Sequence, residues 1–229
     1  MGCCDVRPFE EGAVTFKGVI FDLDGTLVNS LEDLADCMNH VLRDHGFRQH
    51  SVEEYKNMIG NGIRRLVYES LAEGDRRDEL VSECYDSMMN EYRANCTTKT
   101  RPYSGIADLL KHLFSRGINL AVLSNKADEL TRKVVSTLLP EAHFGAIIGS
   151  SDKWPRKPDP SGALEIVRRF QLDPEDFVYV GDTDVDMQTA NRAGMYAVGA
   201  LWGFRTKEEL LANGAKYILN RPADLIDLL

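Results

Sequence analysis

The chain has 229 residues and is 43% hydrophobic, which is enough for one substantial core and a smaller second unit. Its formal net charge of −9 gives it none of the basic character of nucleic-acid-binding proteins and disfavours contact with anionic membranes. Because its apolar runs all stay below 18 residues, we also expect no membrane-spanning helix.

The first 13 residues carry no apolar stretch of the kind found in signal peptides, and we expect them to form a disordered leader. Five cysteines are spread along the chain, an odd number with no C-x-x-C pair. This usage argues against a disulfide framework and against a zinc site, and it favours the reducing cytoplasm.

Short apolar segments alternate with helical patterns along most of the chain. The first strand is predicted within residues 14–22, and the later ones at 118–124, 146–149, 177–181 and 196–199. Between most of them, apolar residues recur at spacings of three and four, which is typical of amphipathic helices. This alternation predicts an α/β fold with a doubly wound, Rossmann-like parallel sheet covered by helices on both faces.

Residues 29–100 interrupt this alternation. They contain no convincing strand, whereas Leu31 to His45 has a helical apolar stripe and Ser51 resembles an N-cap followed by acidic residues. We therefore predict that residues 29–100 are a helical unit inserted after the first strand. The α/β core would then consist of residues 14–28 and 101–229.

The stretch FDLDGT, residues 21–26, places two carboxylates where the first strand leaves the core. Two facing carboxylates repel each other, and one keeps its proton unless a cation lies between them. Asp182 and Asp186 follow a later strand, and ligands of such sheets bind beyond the carboxyl ends of the strands. Oxygen ligands with open positions at this edge suit Mg²⁺.

Two other predicted strand ends add groups that bind anions. Ser124 and Asn125 end a strand before a helix, and Lys157 precedes another helix. Carboxylates, a hydroxyl, an ammonium group and a metal at one edge indicate phosphoryl-transfer chemistry. The glycine-rich loops typical of P-loop and dinucleotide-binding proteins are absent from the sequence.

These segments resemble the four motifs of the haloacid dehalogenase superfamily, in the same order and over essentially the whole chain beyond the leader. The motifs are Asp22-x-Asp24-x-Thr26, Ser124-Asn125, Lys157 and Asp182-x-x-x-Asp186. The combination of FDLDGTLVNS, IGNG, LSNK and GDTDVD most resembles the phosphoglycolate phosphatase-like branch. The resemblance implies that residues 29–100 form a mobile helical cap over the site.

The resemblance also implies catalytic roles for the first motif. Asp22 would be the nucleophile that forms an aspartyl phosphate, and Asp24 would protonate the leaving alcohol and later deprotonate the attacking water. The side chains of Asp22 and Asp182, with the carbonyl of Asp24, would bind Mg²⁺.

The remaining motif residues would bind the phosphoryl group or support those that do. By the same resemblance, Thr26, Ser124 and Lys157 would hold the phosphoryl oxygens, and Asn125 would contact phosphate or substrate. Asp186 would orient Lys157 or a metal-bound water.

In the predicted cap, Asn61 and Gly62 belong either to a loop that closes on the substrate or to a plain turn between helices.

The sequence thus predicts a Mg²⁺-dependent phosphatase that hydrolyses a small phosphorylated metabolite, with 2-phosphoglycolate as the first candidate. Two alternatives remain open at this point. One is a phosphomutase that uses the same nucleophile, and the other is a non-catalytic binding module on the same fold. The sequence leaves the oligomeric state open.

Overall fold

A parallel sheet lies at the centre of the computed structural model, which describes residues 16–229; the predicted leader, residues 1–13, lies outside them. The strands are β1 (Gly18–Phe21), β2 (Val28–Asn29), β3 (Arg101–Pro102), β4 (Asn119–Ala127), β5 (Ala146–Ser150), β6 (Phe177–Gly181), β7 (Tyr196–Ala200) and β8 (Tyr217–Leu219). Six of them form a sheet in the order β5-β4-β1-β6-β7-β8, and all neighbours in it are parallel. The short strands β2 and β3 pair antiparallel.

Nine α-helices accompany these strands within residues 16–229. They are α1 (Leu31–Asp44), α2 (Val52–Lys56), α3 (Ile63–Ser70), α4 (Asp78–Asn95), α5 (Ile106–Ser115), α6 (Asp128–Leu138), α7 (Ser161–Phe170), α8 (Asp184–Ala193) and α9 (Lys207–Ala212). No helix in this part of the chain is long and apolar enough to cross a membrane.

The two faces of the sheet carry separate cores because successive side chains of a strand point to opposite sides. Val19 and Phe21 of β1 pack in the core that includes apolar residues of α5 and α6, and Ile20 packs with residues of α7, α8 and α9. Helices on both faces confirm the predicted doubly wound α/β fold.

The strands differ from the prediction in three respects. β1 begins only at Gly18, and β4 continues past Ser124 to Ala127 through a register shift against β5. Strand β8 and the short pair β2–β3 were not predicted. Each covers only two or three residues, which is too short for a periodic pattern.

Helices α1 to α4 lie between β2 and β3, within residues 29–100, which we call the helical insertion. Its apolar side chains are continuous with the core on one face of the sheet. Helix α2 begins with a capping box between Ser51 and Glu54, in the place where the sequence indicated an N-cap. The division of the chain into a core and a mobile cap stays a prediction.

The two crossings between the insertion and the sheet are tied together by one buried carboxylate. Asp33, near the start of α1, accepts hydrogen bonds from the backbone N–H of Thr100 (2.8 Å), its hydroxyl (2.6 Å) and the N–H of Lys99 (2.9 Å). The Asp33 carboxylate thus serves as the hydrogen-bond acceptor for these donors of Lys99 and Thr100, which would lack a partner without it.

We expect Asp33→Ala to lower the free energy of unfolding by about 2–4 kcal/mol, because the substitution leaves these donors without an acceptor. Urea denaturation at pH 7 measures the effect. Asp36→Ala is the matched control, since Asp36 lies on the same helix, is exposed and contacts only the Lys99 side chain. The control should cost less than about 1 kcal/mol, and equal losses in the two variants would contradict this assignment.

Candidate active site

The register of the sheet brings the sequence motifs to one edge. Phe21, the last residue of β1, pairs with Val122 of β4 on one side and with Val180 of β6 on the other. Asp22 directly follows β1 and Asp182 directly follows β6, the neighbouring strand. The convergence predicted from the strand ends therefore follows from the parallel pairing.

Lys157 holds two of the carboxylates together. Its ammonium nitrogen lies 2.6 Å from Oδ1 of Asp186 and 2.8 Å from Oδ1 of Asp22, and its side chain is almost fully buried. The contact with Asp186 is a hydrogen bond, whereas the contact with Asp22 has the distance of an ion pair but not hydrogen-bond geometry. Asp22 Oδ1 thus remains a buried oxygen without a hydrogen bond among the described residues.

Asp182 is held at the same edge by donors from two loops. Thr26 Oγ1 donates to Asp182 Oδ1 (2.9 Å), and the backbone N–H of Phe204 donates to Oδ2 (2.9 Å). The resemblance implied that Thr26 binds a phosphoryl oxygen, but its hydroxyl proton is directed to Asp182. In this structure Thr26 therefore positions a carboxylate.

Gly25 allows the chain to pass closely over Asp182. Its φ of +88° lies in the left-handed region, and a Cβ at this position would lie 2.2 Å from Asp182 Oδ2. Both the backbone conformation and the space therefore require glycine at this point in the first motif.

Asp186 has its own partners from protein groups. Besides Lys157, it accepts hydrogen bonds at Oδ2 from the backbone N–H of Thr183 (3.0 Å) and the hydroxyl of Thr183 (2.6 Å), which cap helix α8. These contacts support the role that the resemblance implied for Asp186, which is to orient Lys157.

The three buried carboxylates carry more charge than Lys157 balances. Asp22, Asp182 and Asp186 together bear −3 when ionised, and Lys157 contributes +1, which leaves −2. Burial and the nearby Asp186 raise the pKa of Asp22 from 3.8 to about 7, and burial with Asp186 and Asp22 raises the pKa of Asp182 well above its usual range. Burial opposes the charge on Lys157, but the two carboxylates outweigh it and raise the pKa of the ammonium.

These residues fit a divalent cation. One carboxylate oxygen of each of Asp22, Asp182 and Asp186 lies within 4.8 Å of the other two, and Asp22 Oδ1 has no hydrogen bond among the described residues. A divalent ion would cancel the excess of −2 and relieve the repulsion that raises the pKa values of Asp22 and Asp182. Hard oxygen donors with open positions suit Mg²⁺.

Asp24 turns its side chain away from this cluster. Its Oδ1 lies 2.7 Å from Nζ of Lys126, and Lys126 also donates to the hydroxyl of Tyr92 (2.7 Å) on helix α4 of the insertion. The resemblance implied that Asp24 reaches the metal through its carbonyl, and this remains a prediction. Sequence reasoning missed Lys126 and Tyr92, although the LSNK stretch places Lys126 directly after Ser124 and Asn125.

Asn125 positions other parts of the site. Its amide nitrogen donates to the carbonyls of Gly60 (3.1 Å) and Lys157 (3.2 Å), and its oxygen accepts from the N–H of Lys157 (2.8 Å). Both amide protons are therefore used by protein, and Asn125 fixes Lys157 and the insertion. Its contact with phosphate or substrate stays a prediction.

Ser124 remains available to a ligand. It is buried within β4 and does not cap the next helix, which begins at Asp128. Its oxygen accepts from the N–H of Lys126 (3.2 Å), and its own hydroxyl proton has no acceptor among residues 16–229. This free donor lies beside a cavity that Asp22 and Asp24 also line.

The insertion covers this cavity. The residues of the insertion that line it are Leu34, Ile59, Gly60, Gly62, Ile63, Leu66 and Tyr92. Gly62 thus lies where the sequence suggested a loop that closes on substrate, whereas Asn61 is exposed and does not line the cavity. The guanidinium of Arg205 holds the same segment by donating to the carbonyls of Lys56 (2.7 Å) and Ile59 (2.9 Å).

Comparison with known proteins identifies the family of this chain. Residues 19–200 match the family described as haloacid dehalogenase-like hydrolase. The chain belongs to this family. The match confirms the resemblance seen in the four motifs and the prediction that the chain is a hydrolase.

Several relatives match more than three quarters of this hydrolase. It is 33% identical over 211 residues to the phosphoglycolate phosphatase of Aquifex aeolicus, which covers 92% of this chain and 95% of the relative. The phosphoglycolate phosphatase of Cereibacter sphaeroides is 37% identical over 180 residues, covering 78% and 82%. The crystal structure of a predicted phosphoglycolate phosphatase from Haemophilus somnus has a TM-score of 0.86 at 27% identity, covering 95% and 99%. These matches confirm the phosphoglycolate phosphatase-like branch.

The raised pKa of Asp22 predicts how the metal-free protein responds to pH. The unfolded chain releases this proton near pH 4 and the folded chain near pH 7, so the fold binds one more proton between these values. Metal-free protein should therefore lose about 2 kcal/mol of stability from this group between pH 5 and 7.5. Urea unfolding in EDTA measures the change.

Asp22→Asn is the control for this experiment, because it lacks the titrating group and keeps the shape of the side chain. The variant should lose less stability than the wild type over the same pH range. Added Mg²⁺ should stabilise the wild type more at pH 7.5 than at pH 5. Parallel pH profiles of wild type and variant would contradict the shifted pKa.

Proposed function

We propose that this hydrolase is a Mg²⁺-dependent phosphatase that cleaves a small phosphomonoester through an aspartyl-phosphate intermediate, with 2-phosphoglycolate as the first substrate to test. The observation that carries the proposal is the cluster of three buried carboxylates beside the fixed ammonium of Lys157. The names of the relatives support the choice of substrate.

In the first step, Asp22 attacks phosphorus in line with the leaving oxygen. A new bond forms between Asp22 and phosphorus, and the bond between phosphorus and the leaving oxygen breaks. Asp24 gives its proton to that oxygen, so the product leaves as an alcohol. Mg²⁺ held by Asp22, Asp182 and the carbonyl of Asp24 would offset the charge of the phosphoryl oxygens.

In the second step, a water molecule attacks the phosphorus of the aspartyl phosphate. Asp24, now a carboxylate, takes the proton of the water, and the bond between Asp22 and phosphorus breaks. Inorganic phosphate leaves, and both aspartates return to their starting states. One carboxyl group thus serves as acid and then as base.

Lys157 and Ser124 support the phosphoryl group in this proposal. The Lys157 ammonium is already fixed by Asp186, so little reorganisation is needed when negative charge moves onto the phosphoryl oxygens. The free hydroxyl proton of Ser124 provides a hydrogen bond to one of these oxygens.

The helical insertion acts as the cap in this proposal, with the predicted bounds of residues 29–100. Apolar side chains line its side of the cavity, and they exclude bulk water while the aspartyl phosphate forms; the cap then opens to release product. The same wall favours a phosphatase for small esters over a hexose phosphomutase, because Leu34, Ile59 and Ile63 offer no hydrogen bonds to sugar hydroxyls.

A reducing compartment is consistent with the thiols of the described residues. Cys37, Cys84 and Cys96 are free and buried. Together with the acidic charge of the chain, they support the proposal that the enzyme works in the cytoplasm on a small phosphorylated metabolite.

We expect the wild type to release inorganic phosphate from 2-phosphoglycolate in Mg²⁺ and to lose this activity in EDTA. Asp22→Asn should lower kcat by at least about 10⁴-fold, because the amide is not a nucleophile. Asp184→Asn is the matched control, since Asp184 is a neighbouring acid at the start of α8 outside the carboxylate cluster. Phosphate release from a panel of phosphorylated metabolites measures the activity of the wild type, Asp22→Asn and Asp184→Asn.

Rapid acid quenching tests the intermediate in the same experiment. Substrate labelled with ³²P should leave label on the wild type and none on Asp22→Asn. Equal turnover by wild type and Asp22→Asn would exclude the nucleophile. Conversion of a sugar phosphate to its isomer without phosphate release would favour the mutase, and no turnover of any ester would favour a binding module.

A further inference from the structure

The cavity next to Asp24 has an apolar wall with one polar exception. Leu34, Ile59, Ile63 and Leu66 form the wall on the side of the insertion. The exception is the pair of Lys126 from the core and Tyr92 from the insertion, which meet at this wall. Because Asp24 lines the same cavity, the pair lies on the side where a leaving alcohol would sit.

Lys126 has more donors than acceptors among the described residues. Its ammonium group carries three protons, and these residues provide it with two acceptors, Asp24 Oδ1 and the hydroxyl oxygen of Tyr92. The side chain of Lys126 is 2% exposed, so bulk water does not satisfy the third proton. The buried ammonium therefore has one hydrogen bond left to give.

Tyr92 has the same excess. Its hydroxyl oxygen accepts a hydrogen bond from Lys126, and an ammonium group cannot accept a hydrogen bond in return. The phenol proton must therefore point elsewhere, and no residue among 16–229 accepts it. Tyr92 is fully buried and lines the cavity, so its free proton requires a partner within that space.

We infer that Lys126 and Tyr92 together bind a carboxylate on the leaving group of the substrate, so that the enzyme prefers phosphomonoesters of small hydroxy acids. The inference rests on the proposed function. A carboxylate has two oxygens that only accept hydrogen bonds, and these match one N–H and one O–H donor. The apolar wall around the pair leaves no comparable partners for a longer polar substrate.

The arginines of the insertion do not compete for this role. Arg64 and Arg65 follow the Gly60-Asn61-Gly62 segment in sequence, and both are exposed. Arg65 pairs with Glu69, and neither arginine lines the cavity. Among the described residues that line it, Lys126 is the one basic side chain.

The test compares two esters that differ in the acidic group. Ethyl phosphate carries a methyl group where 2-phosphoglycolate has its carboxylate, and both release a primary alcohol. For each protein, kcat/KM is measured for both esters in Mg²⁺, and the ratio of acid to ethyl ester is the readout. Because Lys126 also contacts Asp24, the ratio separates substrate recognition from a general loss of activity.

Tyr92→Phe removes the hydroxyl and keeps the ring, and it should lower the ratio at least about tenfold. Lys126→Met removes the ammonium and should lower the ratio further, mainly through KM for 2-phosphoglycolate. The controls are Tyr55→Phe and Lys111→Met. Tyr55 is a buried tyrosine of the insertion that bonds to Asn39, and Lys111 is exposed on α5, so both controls should keep the wild-type ratio.

The inference is overturned if Lys126→Met lowers kcat/KM equally for both esters, since the lysine would then act only through Asp24. It also fails if Tyr92→Phe keeps the wild-type ratio, which decides the matter even where Lys126→Met does not fold. A wild type that cleaves both esters equally well overturns this inference alone, whereas a wild type that cleaves neither overturns the proposed function as well.

Discussion

The burial of three carboxylates around one ammonium group is the constraint on which the rest of the site depends. Taking a carboxylate out of water costs several kcal/mol unless it is paired and hydrogen-bonded. Lys157 pairs with two of the three, Asp22, which follows β1, and Asp186, which lies in the first turn of the helix α8 that follows β6. The strands β1 and β6 must therefore be neighbours in register before any of these charges is tolerated, which makes the topology and the charge cluster one requirement.

The remaining polar groups of the site keep this cluster in place. Thr26 and the backbone of Phe204 orient Asp182. Asn125 forms hydrogen bonds with both the N–H and the carbonyl of Lys157. The motif residues thus fall into two groups. Some have a polar atom without a hydrogen bond to protein, and the others use their hydrogen-bonding groups on protein partners. Asp22 Oδ1, which has no hydrogen bond among the described residues, and the Ser124 hydroxyl proton belong to the first group, and both residues line the cavity.

The sequence predicted the sheet and most of the site because both depend on local patterns. Apolar runs that end in Ser, Gly or Asp mark buried parallel strands, and parallel strands bring their ends to one edge. Partner choice is different, because it depends on side chains far apart in the chain. Thr26 and Asn125 were recognised as site residues, but whether their donors meet phosphate or protein is decided by Asp182 and Gly60, which no local pattern relates to them.

Lys126 and Tyr92 escaped prediction for the same physical reason. Lys126 has no local feature that separates a buried lysine from a solvated one, and Tyr92 lies on a helix whose many charged residues weaken its apolar stripe. Only the folded chain brings them within 2.7 Å.

Hydrogen bonds from the core hold the insertion over the cavity. Asn125 and Arg205 both donate to backbone carbonyls of residues 56–60, and the loop of Arg205 also supplies the Phe204 N–H that binds Asp182. Bonds to carbonyls depend on the path of the backbone more than on side-chain identity, and glycines at 60 and 62, with φ of +118° and +83°, set that path. The loop after β7 thus joins an acidic ligand of the proposed metal to the segment that covers the cavity. The placement of the insertion over the cavity and the geometry of the charge cluster therefore rest on the same few hydrogen bonds.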